Sequence, residues 1–290
     1  MGAACGYRKP VDWRPPPSEQ LLRRRPLRAL ATPVRERRFT YDAYAAFLDR
    51  LRDANALLVP LRELASADAG DRPVVGLRHD VDERLDSALT FARLEAERGI
   101  RSTYFVLHTA SYWPDRRMRE LQELGHEVGL HNDALTVHAR AGADPVDTLR
   151  RELDHLRRIG LDVTGVAGHG SREARERRFL NHLVFSDLPA EAPRFPNNDL
   201  RGALEPPASR ATLDDLDLVY DADFLDVDAY FADSYADARG RRWHPDKLEL
   251  RGLRPRQKTV ILTHPCLWDE HVAAKAARTL ARGAFTFRRR

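Results

Sequence analysis

The sequence predicts an α/β fold in which parallel strands alternate with helices, as in a barrel or a doubly wound sheet. Two observations carry that prediction. Short β-rich runs such as "VVGLRHDVD" (74–82), "STYFVLH" (102–108), "HEVGLHND" and "KTVILTHPCLW" are separated by segments with apolar residues at helical spacing. The intervening helices are long enough for right-handed crossovers between parallel neighbours. A third observation points to function: the polar, ionisable residues fall where the strands end.

In chain order, residues 1–37 are rich in Pro and Arg and read as a flexible arm, leaving 38–290 as a single catalytic domain. From Thr40, "TYDAYAAFLDRLRDANALLVPLRELAS" places Tyr44, Phe47, Leu48 and Leu51 on one helical stripe, with Thr40 or Asp42 as the cap. "DRPVVGLRHDVD" reads as turn, strand and polar loop. "RLDSALTFARLEAERGI" is a helix with Leu85, Ala88, Leu89, Ala92 and Leu94 inward, ended by Gly99. "STYFVLH" is a strand, "PDRRMRELQELG" a helix stopped by Gly125, and "HEVGLHND" a strand with a polar end. "ALTVHAR" reads as loop or helix. Asp144-Pro145 opens and Gly160 closes the helix in "DPVDTLRRELDHLRRIG", and "VTGVAGHGS" is a short strand ending in His169. Between about 185 and 240 the pattern loosens into loop, and order returns with "LVYDADFLDVDAYFADSYAD" and the last strand.

The totals narrow the function classes. The chain has 290 residues, 42% hydrophobic and 32% charged, which suits a globular protein with a substantial core. No run approaches the ~20 apolar residues of a membrane span. The N-terminus lacks the apolar core of a secretory signal, and two cysteines, Cys5 and Cys266, form no disulfide framework. The expectation is a cytoplasmic protein. Net charge is +4 and only four of the 48 basic residues are lysine. The arginine runs "LLRRRPLR" and "FRRR" suit anionic partners, but no stacking-plus-basic motif of a nucleic-acid module occurs, so no nucleic acid is expected.

His79, Asp80 and Asp82 end the first of the polar-ended strands, His131, Asn132 and Asp133 another, His169 a third and His264 the last. In parallel α/β folds the carboxyl ends of the strands share one face, so residues nearly two hundred positions apart would converge. One Asp and two His with an open position form a ligand set for a hydrolytic Zn²⁺, Co²⁺ or Fe²⁺. A second carboxylate could act as base and His264 as acid.

On these blocks, together with "GHEVGLHND", "GVAGHGS", "YFADSYADARGRRW" and "VILTHPCLW", the chain resembles the NodB-homology polysaccharide deacetylases of carbohydrate esterase family 4. Within that family it resembles a variant group with an "RHDVD" first motif, and the similarity runs from about Thr40 to Trp268. The resemblance implies an irregular (β/α) barrel and a metal-dependent hydrolase that removes an acyl group, typically N-acetyl, from an amino sugar or glycan precursor. It further implies that Asp80 and His131 bind the metal and that His264 is the catalytic acid. Zn²⁺ is the expected ion, with Co²⁺, Fe²⁺ or Ni²⁺ as alternatives.

The chain departs from the family pattern in two places. The common first motif has two adjacent aspartates; here His79 stands first, so Asp82 or His79 is the base. The common second motif pairs histidines four apart, but four after His131 comes Leu135. His169 or His138 would then complete the shell; His169 is preferred because "AGHGS" ends a strand. Trp243, Arg242 and His108 are candidate substrate contacts, the first by stacking on a sugar ring and the second by holding an acidic group. Asp133 is a candidate to orient His131, and His126 and Cys266 read as structural. Two alternatives share the fold: a catalytically silent glycan-binding protein, and a hydrolase of another non-peptide C–N bond.

Overall fold

The computed structural model describes residues 39–107, 115–190, 207–234, 243–248, 250 and 253–269. The expected N-terminal arm lies outside these residues, as do His108 and Arg242.

Thr40 caps α1 (Tyr41–Asp53), its hydroxyl accepting the Ala43 amide at 3.2 Å, and Tyr44, Phe47, Leu48 and Leu51 form the buried stripe. The apolar run after it is not more helix. Asn55 turns left-handed at φ 55°, and β1 (Leu57–Val59) and the single turn α2 (Leu61–Leu64, preceded by Pro60) follow. Next come β2 (Val74–Val81), α3 (Leu85–Ala96), β3 (Thr103–Val106), α4 (Asp115–Glu123) and β4 (Glu127–Asn132). The segment "ALTVHARA" is helical, as α5 (Ala134–Ala141). Asp144 caps α6 (Pro145–Arg158) by accepting the Asp147 amide at 2.9 Å, with Pro145 at the first helical position. β5 (Gly165–Gly168) and α7 (Arg172–Arg177) are followed, among the described residues, by short 3₁₀ turns, the two-residue β6 (Tyr220–Asp221) and β7 (Ala229–Ala232). β8 (Lys258–Thr263) is the last described strand.

All described strand pairs are parallel, in the order β6-β5-β4-β3-β2-β8-β7, with β1 added beside β2. The sheet is curled into an open (β/α) barrel. Arg78 on β2 donates to Asp223, just beyond β6, at 2.6 Å and to Tyr230 on β7 at 3.3 Å, which a flat sheet would not allow. One apolar cluster fills the space between sheet and helices, and a smaller one, with Leu61, Val74, Phe105, Ala167, Tyr220 and Val260, fills the interior. Gly129 and Gly165 keep that interior narrow: a Cβ would meet the Phe105 ring at 2.5 Å in one case and the Tyr220 ring at 2.5 Å in the other. Among the described residues no helix is long and apolar enough to cross a membrane.

Candidate metal and acid–base site

Side chains alternate between the two faces of a strand, and this decides what β2 contributes. Leu77 and Val81 join the helix-side core, so Arg78 and Asp80 face the interior, and Asp82 follows them at the rim. His131, one residue before the end of β4, is on the interior face, and His169 follows β5 with the parity of Ala167. His264 follows β8 with the parity of Val260.

The structure brings Asp82, His131 and His169 together: one ligand atom from each lies within 4.8 Å of the other two. His131 Nε2 stands 3.1 Å from Asp82 Oδ1, and His169 Nε2 stands 3.9 Å from the same oxygen. Both imidazoles are oriented from behind. His131 Nδ1–H donates to the Ala167 carbonyl at 3.0 Å, and His169 Nδ1–H donates to Asp133 Oδ1 at 2.9 Å. Each ring therefore turns its Nε2 edge to the shared point, the arrangement that supports metal-bound histidine. One carboxylate and two imidazoles at this spacing fit a hydrolytic divalent cation, leaving positions open. Asp133 thus serves His169 rather than His131.

Asp80 reaches the same place but is committed differently. Both its oxygens accept from Arg78, Nε to Oδ1 at 2.8 Å and Nη2 to Oδ2 at 3.0 Å, while His131 Nε2 is 3.7 Å away. Arg78 is 2% exposed and Asp223 holds its remaining edge, so the pair is fixed and dry. Of the two carboxylates, Asp82 joins both histidines at ligand spacing, whereas Asp80 was the expected ligand and Asp82 a candidate base. Burial raises the Asp80 carboxyl, but Arg78, His131 and His264 more than offset it and hold it below the usual range. Asp82 is likewise raised by burial and then held well below that range by its bond to His131 and the charges of His169, His131 and His264.

His79 is not part of this group. It points to the helix side of β2, is 0% exposed, and puts Nε2 2.8 Å from Glu95 Oε1 and Nδ1 2.7 Å from the Thr263 hydroxyl. The alternative metal ligand, His138, is also elsewhere, its Nδ1 donating to the Ala143 carbonyl at 2.8 Å on α5.

His264 belongs to the rim. Its Nδ1–H donates to Asp233 Oδ1 at 2.6 Å and its backbone N–H to Asp233 Oδ2 at 2.9 Å. Burial lowers the imidazole, but Asp233, Asp82 and Asp80 carry it up to about 9. His169 reaches about 9 in the same way, with burial offset by Asp133, Asp82 and Asp80. Trp243 is half-buried and stacks on Phe231 at 5.3 Å, packed against the core. Cys266 is a free thiol that burial and the Asp82 and Asp233 carboxylates push upward, the reverse of an activated nucleophile.

The sequence left Arg78 and Asp233 without roles. The period-two alternation of "LRHDVD" was the available signal for the first. No local signal pointed to the second, since 31 residues separate Asp233 from His264.

No family model and no curated protein matches the chain. Among solved structures it is similar to a family 4 carbohydrate esterase from Bacillus anthracis, at 13% identity and a TM-score of 0.34, over 82% of this chain and 84% of that one.

Proposed function

We propose that the protein is a metal-dependent hydrolase that removes an acyl group, N-acetyl in the first instance, from an amino sugar or glycan precursor. The observation that carries this reading is the preset orientation of His131 and His169, whose Nε2 atoms converge on Asp82 because both Nδ1 protons are already engaged. The ordered motifs that resemble the NodB-type deacetylases support the substrate class.

Asp82, His131 and His169 would hold the cation. A divalent ion there supplies Lewis acidity, polarising the acyl carbonyl and making water easier to deprotonate. Asp80 is the base: Arg78 keeps it ionised beside the ligand set, with its carboxylate free of a proton at neutral pH. It accepts the proton of the water whose oxygen adds to the acyl carbon. His264, kept protonated by Asp233, donates its proton to the amine nitrogen as the C–N bond breaks. The products are a free carboxylic acid and the amino sugar, and the proton taken by Asp80 returns to His264 through solvent.

The test is metal content of purified protein together with acetate release from N-acetylated amino sugars, for wild type and His131→Ala. Wild type should hold stoichiometric divalent metal and release acetate; the variant should fold, lose the metal and lose turnover. A wild-type protein without metal affinity removes the proposal and leaves the silent glycan-binding alternative; metal without acetate release leaves a hydrolase of another non-peptide C–N bond.

A further inference from the structure

His79 lies outside the ligand set, yet it is firmly tied at the place where the seam between β2 and β8 matters. The pairing of those strands runs from Val74↔Lys258 and ends at His79↔Thr263. The next residues along the chain are Asp80, still on β2, and His264, just beyond β8, the proposed base and acid. No further pairing between β2 and β8 sets their separation, but across that last pair the His79 ring and the Thr263 hydroxyl meet at 2.7 Å.

The far side of the ring is anchored too. Glu95 on α3 accepts from His79 Nε2 at 2.8 Å, and the same carboxylate accepts from the Tyr44 hydroxyl, from Ser102 Oγ at 2.6 Å and from the Tyr104 hydroxyl at 2.7 Å. Tyr104 and Phe91 wall the ring at 4.5 and 5.6 Å. Glu95 is 0% exposed and meets four donors, so the clamp is fully satisfied and rigid. Because faces alternate, fixing His79 on the helix side also fixes where the peptide turns Asp80 on the other side.

We propose that His79 is a positioning residue that, held by Glu95 and bonded to Thr263, sets the distance between Asp80 and His264 across the β2–β8 seam. The proposal rests on the hydrolase reading for its effect on turnover, while its structural half can be measured without substrate.

Thr263→Val tests it by replacing the hydroxyl with a methyl group. Metal content and KM should stay at wild-type values. The kcat should fall about ten- to a hundredfold, the cost of a displacement on the order of 1 Å between reacting groups. Exchange of the His264 amide, which donates to Asp233, should quicken about tenfold while the Ile261 amide deeper in β8 keeps its rate, which marks a local opening rather than general loss of stability. Thr263→Ser should restore both. Glu95→Gln, which weakens the other arm of the clamp, should repeat the pattern and serves if Thr263→Val does not fold. Wild-type kcat in these variants, or a loss that serine does not restore, overturns the proposal. Should the wild type show no hydrolysis at all, the hydrolase reading fails, and the amide exchange alone decides for or against the clamp.

Discussion

Asp233 grips His264 at two points: Oδ1 takes the ring Nδ1 proton at 2.6 Å, and Oδ2 takes the backbone N–H at 2.9 Å. The indole of Trp268 also donates to Oδ2, at 3.0 Å. The carboxylate is thereby immobile and the imidazolium it faces persists up to about pH 9. A raised value means the proton is present at neutral pH and is lost as pH climbs through that point. The rate kcat/KM should therefore fall above about pH 9. Asp233→Asn should move that fall toward the ordinary imidazole value of about 6.5. A wild-type alkaline limb that Asp233→Asn does not shift would take His264 out of the acid role.

The two rim acids on β2 should separate cleanly by assay. Asp82→Asn should release the metal, since Asp82 shares ligand spacing with His131 and His169. Asp80→Asn should keep the metal and lose about 10²- to 10⁴-fold in kcat, the usual contribution of a positioned base. Metal analysis beside single-substrate kinetics reads both. The opposite pattern would restore Asp80 as ligand and Asp82 as base.

Asp133 meets the proposed metal site through His169, whose Nδ1–H it accepts at 2.9 Å. Asp133→Asn should weaken metal binding about 10- to 100-fold, the range for outer partners of ligating histidines, with the unfolding midpoint little changed. Competition with a chelator of set affinity measures it, and an unaltered affinity contradicts the assigned orientation.

Glu95 should contribute to acid stability. Burial pushes its carboxyl up, but His79 and His126, with the Ser102 hydroxyl, bring it down to about 2. A depressed carboxyl stabilises the fold above its ordinary value near 4.5 and loses that contribution as pH falls toward 2. Glu95→Ala should cost about 3–5 kcal/mol at neutral pH by stranding His79 and should flatten the loss of stability between pH 4.5 and 2. Urea unfolding across that range is the measurement, and parallel pH curves for the two proteins would contradict it.

The strands bearing the rim residues were legible because each is a compact β-rich run ending in polar residues or a turn. α1 and α6 were legible from Thr40 and from Asp144-Pro145, whose caps form as their chemistry demands. β1 and α2 were hidden within an apolar stretch that looks helical throughout, because the left-handed turn at Asn55 is a single-residue event. His79 is next to Asp80 along the chain, but strand alternation places the two on opposite faces. The choice of His169 by Asp133, and of His264 by Asp233, is made in three dimensions by loops that approach from other strands, and no spacing encodes it.

The two imidazoles facing Asp82 differ in what stands behind them: a main-chain oxygen, that of Ala167, for His131 and a carboxylate for His169. Substitution cannot delete a peptide carbonyl. The electron-donating character of one ring is therefore locked by the fold, while the other is adjustable through a single codon. For the proposed metal site, position 133 is therefore the accessible dial.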